Sequence, residues 1–396
     1  MTLAPRRAAL LTHRTVLAGT LAFLVLGVPD GGDGVAWPFM RATLAQPLEA
    51  LGLLSIALTC GAVAMSALSG RITRAAGTAP ALLAAVVLAG AALLGVALSP
   101  VWATVVLCFL AYGAGTAVID AAVQAHVVSR HGLRSMSAMH AGWGVGVTVG
   151  PLLMTGIVSS GAGWRAGYGC MAALYGVDAA VLAWSWRAWR GEPTASPERA
   201  ATATATSITR AHVGRSLLLF FLVTGMETSA ALWMFTFLTG ARGLGTAAAG
   251  VAAGAFFAVQ TLGRVVLAAT GHRVEARNVL AVACAVALGG ALLMLALPGV
   301  SSVAGVAVAG AGVGVLYPSL MVASSGNLGE RRAQSVVGWQ VAAANAGAAA
   351  GAALTGVILQ HAGVGTFPAV LIAVSAVIVA LLLSAPRAAA GSPAAG

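Results

Sequence analysis

From Ala75 to Ile119 the chain passes no Asp, Glu, Lys or Arg, and further charge-free runs of twenty residues or more recur at 50–70, 135–164, 243–263, 278–329 and 333–386. A run of about 20 apolar residues is long enough to cross the hydrocarbon of a bilayer as a helix. Hydrocarbon offers the backbone no water, so each crossing must pair its N–H and C=O groups within itself, whereas an open sheet edge would leave them unsatisfied. The predicted fold class is therefore an all-α integral membrane protein. Composition agrees, because 59% of the 396 residues are hydrophobic and 8% are charged, a balance unfit for a water-soluble globule. The 51 Gly serve close helix packing, since membrane helices gain nothing by hiding apolar surface from lipid.

The runs predict twelve spans, at 15–36, 47–69, 79–98, 101–127, 136–160, 166–189, 214–239, 246–270, 276–297, 300–325, 333–361 and 364–386. Residues 190–213, rich in Thr, Ala, Pro and Glu, read as a cytoplasmic linker between an N-terminal six-helix bundle (1–189) and a C-terminal one (214–396). With the N-terminus inside, all of the 21 Arg except Arg41, Arg165 and Arg242 are assigned to the cytoplasmic side, Arg264 among them. That excess predicts a multi-pass protein of the cell's inner (plasma) membrane with both termini cytoplasmic.

Other classes fit poorly. The formal charge of +11 is scattered over many loops rather than gathered in a patch, so a nucleic-acid partner is not expected. Cys60, Cys108, Cys170 and Cys284 lie in apolar segments without metal-ligand or disulfide spacing, and no cofactor or metal is expected. The first apolar run lacks a small-residue cleavage site, so no cleavable signal is expected. The chain has no Lys and hence no phosphate-cradling Gly-Lys-Ser, and its seven His are widely spaced, which argues against an enzyme and for transport driven by a gradient.

At an offset of about 200 residues the halves echo one another: Thr155-Gly156 meets Thr355-Gly356, Ser135 meets Ser335 and His140 meets Gln340. One residue less places Gly113 and Gly115 on Gly312 and Gly314, an internal repeat of the kind transporters show. Gly70-Arg71-Ile72-Thr73-Arg74-Ala75-Ala76-Gly77 follows the second span, and Gly146-Val147-Thr148-Val149-Gly150-Pro151 lies in the fifth. These segments resemble the loop signature and the Gly-Pro motif of the major facilitator superfamily, and the likeness extends over the whole chain. Arg74 stands where the loop signature has an acidic residue, and Met154 and Thr155 replace the closing glycines of the second motif. The resemblance implies two six-helix bundles that rock around a midplane site, with Gly70, Gly77, Gly146, Gly150 and Pro151 in helix packing and gating. Trp37-Pro38, Ile119-Asp120, Met139-His140-Ala141, Gly225-Met226-Glu227 and Tyr317-Pro318 are similar to the fucose permease-like branch, whose members are sugar and proton symporters.

Ionisable groups at membrane depth are costly, at about 2.5–3.5 kcal/mol or more for a central charge, and so mark a pathway or a pair. Asp120 in the fourth span is the leading candidate proton carrier; Glu227 in the seventh, and Asp30 and Asp33 in the first, are the others. Each is also open to a structural reading, as a carboxylate held by a cation or as an outer-loop residue in the case of Asp33. Pro29-Asp30-Gly31-Gly32-Asp33-Gly34 is expected to unwind or kink the first helix. Asp178 in the sixth span is the least assignable. Gln124, His140, Gln340 and Asn345 are candidate hydrogen-bonding residues for a solute, and Trp143, Trp233 and Trp339 candidate flat faces for a sugar ring. Together these residues predict a monomeric, proton-coupled symporter of a small organic solute, sugar-like by preference. A proton-coupled drug or metabolite exporter and a non-transporting receptor or scaffold are the alternatives.

Overall fold

The computed structural model describes residues 3–189, 210–270, 274–325 and 330–384, without the side chains of 3–13, 128–134, 137, 210–212, 324–325, 330–335 and 337. Residues 190–209 of the expected linker lie outside that description. Twelve helices among the described residues are long and apolar enough to cross a membrane. They are α1 (Arg14–Thr43), α2 (Leu48–Ala76), α3 (Thr78–Leu98), α4 (Trp102–Val127), α5 (Ala138–Ser159), α6 (Gly163–Trp184), α7 (Val213–Gly240), α8 (Thr246–Thr270), α9 (Ala276–Ala296), α10 (Gly299–Ala323), α11 (Gly338–Ala362) and α12 (Val364–Leu383). No strand occurs among the described residues. Helical backbone runs from Trp102 to Ser159, covering both α4 and α5. Asp120 and His140 nevertheless interact electrostatically, whereas twenty residues of straight helix would hold them about 30 Å apart, so the chain reverses between them.

Glycine spacing builds the tightest seam. On α1, a Cβ on Gly27 or Gly31 would strike the backbone carbonyl of Trp143 or of Val147; on α5, one on Gly146 or Gly150 would strike that of Leu24 or of Val28. Two Gly-x-x-x-Gly faces thus mesh backbone to backbone, with Pro151 buried beside them. This corrects the expectation that the Pro-Asp-Gly-Gly segment unwinds α1. The helix continues from Leu3 to Thr43 with Pro29 and Pro38 inside it, and its glycines make room for neighbours rather than a break. Gly77 closes α2 at φ +88°, a conformation that excludes most side chains. Gly70 has open space where a Cβ would sit, so it packs against nothing.

The first six helices pack chiefly among themselves, and so do the last six. Contacts between the two sets run from mid-depth to one end of the molecule, the end bearing the α1–α2 connection. There Gly34 abuts the carbonyls of Ala231 and Leu232, Gly52 abuts Ala353, and Gly250 abuts Thr155. Phe39 and Phe235 stack with centroids 6.4 Å apart, and Leu48 N donates to Gln360 Oε1 at 2.7 Å. That end is closed.

Candidate functional site

Near the middle of α1, Asp30 is exposed although its helix neighbours are buried, so it faces an open interior space rather than packed protein. Its Oδ2 accepts a 3.0 Å hydrogen bond from the indole Nε1 of Trp143 on α5. The guanidinium carbon of Arg264, on α8, lies 5.1 Å from the centre of that same indole. Arg264 Nη2 donates to Glu227 Oε1 on α7 at 2.7 Å, and its Nε donates to the carbonyl of Gly314 on α10 at 2.9 Å. Gln260, one turn before Arg264, donates to the same Glu227 oxygen at 2.5 Å. Carboxylates from the two sets of six helices are thereby joined through one aromatic ring.

On α4, Gln124 donates to Asp120 Oδ1 at 2.7 Å. Asp120 and His140 are both exposed, and Tyr317 on α10 interacts electrostatically with Glu227 and Asp120. Asp30, Asp120, Gln124, His140, Trp143 and Glu227 therefore converge at mid-depth, from helices far apart in sequence. Neither a cleft of about 190 Å³ beside Ser69, Thr73 and Thr78 nor an apolar one of about 370 Å³ beside Val266 and Val315 is lined by an ionisable side chain.

Other candidates lie elsewhere. Trp233 is fully buried, with Nε1 donating to the Ala352 carbonyl at 2.9 Å, so it braces α7 against α11 and presents no face to a solute. Gln340 is equally buried and donates to Ser216 Oγ at 2.8 Å across the same seam. Trp339 and Asn345 are exposed on α11. Asp33 is 8% exposed and accepts a 2.7 Å hydrogen bond from the Tyr168 hydroxyl, so it is a buried group of the first six helices and not a loop carboxylate.

Arg264 corrects the sequence reading most. Counted in the sequence only among the Arg of the cytoplasmic side, it sits inside α8 with its charge turned toward Glu227. Gln260 and Thr261 were missed with it; the Thr261 hydroxyl donates to the Gly144 carbonyl at 3.3 Å and ties α8 to α5. The available signal was Arg264 itself, a cation within the predicted span 246–270 of a chain whose opposite carboxylate needed a partner.

No curated protein matches the chain by sequence. Among solved structures it is similar to a point mutant of the nucleoside transporter NupG, with a TM-score of 0.73 and 16% identity over 94% of this chain and 98% of that one. It is also similar to the human organic anion transporter MFSD10 (TETRAN), with a TM-score of 0.64 and 15% identity over 96% and 100% of the two chains. Identity that low establishes the fold and leaves the solute open. The Major Facilitator Superfamily sequence profile matches residues 17–339, most of the chain, and with twelve spanning helices in the matching fold, this protein is a member of that superfamily of membrane transporters.

Proposed function

We propose that the protein is a proton-coupled symporter of a small, hydroxyl-bearing ring solute, sugar-like or nucleoside-like, moved by alternating access. The observation that carries this reading is the chain Asp30–Trp143–Arg264–Glu227, which ties a protonatable group of one half to an ion pair of the other. Adding a proton to Asp30 removes the charge to which the indole N–H is bonded and loosens that link. A group whose proton affinity differs between two conformations biases the equilibrium between them, and the same linkage couples proton to solute. Asp120, with Gln124 and His140 beside it, is the second proton-accepting position.

The solute class follows from charge and shape. Asp30, Asp120 and Glu227 outnumber the single guanidinium of Arg264, which disfavours an organic anion and suits a neutral or cationic solute. Amides and carboxylates bind hydroxyls, and the half-buried indole of Trp143 offers a flat apolar surface to a ring. The likeness to the nucleoside transporter NupG and the motifs shared with the sugar-transporting branch support the same chemistry. With the N-terminus cytoplasmic, as the Arg distribution predicts, the closed end faces outward and the cluster is reached from the cytoplasm. The working unit is a monomer of two six-helix bundles in the plasma membrane.

The test is uptake of radiolabelled monosaccharides and nucleosides into proteoliposomes under an imposed pH gradient. Accumulation that a protonophore abolishes, and that Asp120→Asn or Asp30→Asn uncouples from pH, supports symport. Efflux of lipophilic drugs in exchange for protons would replace it with the exporter. Transport of none of these solutes would favour a receptor or scaffold.

A further inference from the structure

A second set of buried polar groups lies inside the first six helices, away from the Glu227–Arg264 pair. Asp178 on α6 is 1% exposed, and neither carboxyl oxygen has a hydrogen-bond partner among the described residues. One turn before it on the same helix is Tyr175, also 1% exposed, with which it interacts electrostatically. The Tyr175 hydroxyl is 3.1 Å from that of Tyr112 on α4. Tyr112 and Tyr175 both interact electrostatically with Asp30 and Asp33 on α1, and Tyr168, two turns before Tyr175, donates to Asp33 at 2.7 Å.

A carboxyl group in apolar surroundings needs a cation, hydrogen-bond donors or a proton of its own. The helices around Asp178 leave one of these. Packed against α6, α3 contributes no ionisable residue over Thr78–Leu98. From α1 the facing groups are Asp30 and Asp33, and from α4 Tyr112. The Arg residues at its two ends engage elsewhere: Arg14 lies 4.4 Å from the ring centre of Trp184 at one end of α6, and Arg165 at the other end donates to the Ser99 carbonyl at 2.9 Å. His126 on α4 stacks with Trp189 at 4.9 Å and lies 3.2 Å from the Ala188 carbonyl, beyond the end of α6.

We propose that Asp178 is a second proton-binding site, closed to solvent, which exchanges its proton with the cavity carboxylate Asp30 by way of the hydroxyl pair of Tyr175 and Tyr112, the contacts at either end of that pair forming only as the side chains move, since at rest Asp178 has no hydrogen-bond partner among the described residues. In each exchange a phenol passes on its own O–H proton and accepts another, so no net charge is left on either ring. The site would give the transporter a proton store separate from the solute site, filled and emptied only by way of Asp30.

Infrared spectroscopy of the full-length protein in lipid tests this without a known solute. At neutral pH the wild type should show a protonated-carboxyl C=O band that is absent from Asp178→Asn and present in Asp120→Asn. In D₂O, Tyr175→Phe and Tyr112→Phe should each slow the deuterium shift of that band at least tenfold, because they keep the ring and remove the hydroxyl. Thermal melts identify any variant that fails to fold, and the two Tyr→Phe variants report independently of Asp178→Asn. A spectrum unchanged by Asp178→Asn would overturn the site, and exchange unaffected by both Tyr→Phe changes would overturn the route. Either result stands whether or not the solute assignment holds.

Discussion

Arg264 does three things from one position: it neutralises Glu227, caps the Gly314 carbonyl and covers one face of Trp143. A guanidinium does this because its planar fork sends several N–H groups in fixed directions, whereas an ammonium is a point charge. Arg264→Lys should therefore retain the charge yet lose the Gly314 contact, and Arg264→Ala should leave Glu227 without a cation. With 30% and 18% of the two side chains exposed, the alanine variant should cost roughly 1–3 kcal/mol of stability, below the figure for a fully buried pair. Thermal unfolding in detergent checks the order wild type, Lys, Ala; a lysine variant as stable as wild type would show that charge alone matters. Trp143→Phe keeps a ring under Arg264 but removes the donor to Asp30. Its expected signature is a flattened pH dependence of uptake with little change in melting temperature, since an exposed hydrogen bond is worth about 1 kcal/mol or less. The carboxylates of this site were legible in the sequence because a charge at membrane depth stands out against an apolar background. Arg264 was not, because the rule that sets orientation counts it simply as one more cytoplasmic Arg, and only the position of Glu227 across the fold shows it to be a partner.

The twelve spans themselves were legible, with ends displaced by up to seven residues (36 against Thr43, 69 against Ala76), since helix length and hydropathy are set locally by the thickness of the hydrocarbon. What lay beyond sequence was the partner of each face. Pro29 and the glycines after it have the local character of a break, yet α5 presents Gly146 and Gly150 to them and the helix passes through intact. Trp233 and Gln340 carry the same composition signal as Trp143, but α7 and α11 close over them. The α1–α5 seam makes a sharp prediction. Gly150→Val would push a branched side chain into the carbonyl of Val28, with no flexible atom able to yield. The expected result is loss of several degrees in melting temperature or loss of folded protein, read by size-exclusion chromatography of a fluorescent fusion. Gly70→Ala, which meets open space in the middle of a helix, should be neutral or gain up to about 1 kcal/mol. Equal behaviour of the two variants would mean that backbone contact between α1 and α5 does not hold the first six helices together.

At the scale of the whole molecule, transport requires that the closed end open, so the contacts there set how often it does. They combine one aromatic pair, Phe39 with Phe235, with small residues and a few polar contacts: Gly34 against Ala231 and Leu232, Gly52 against Ala353, Leu48 N–H to Gln360, and His361 Nε2 at 3.7 Å from Glu49 Oε2. A protein that must open a gate thousands of times cannot tie it with a large hydrophobic interface, and small residues with a few polar bonds keep the two states close in energy. The His361–Glu49 contact, at 73% and 36% exposure, is worth at most about 1 kcal/mol. With cysteines at positions 52 and 353 in a background lacking Cys60, Cys108, Cys170 and Cys284, oxidation should lock this end shut. Uptake should then stop and return on reduction, because a solute that cannot reach the cluster from that side cannot be carried. Uptake that survives complete cross-linking would mean that this end does not open during transport, and the cluster around Trp143 would then have to be filled and emptied from one side alone.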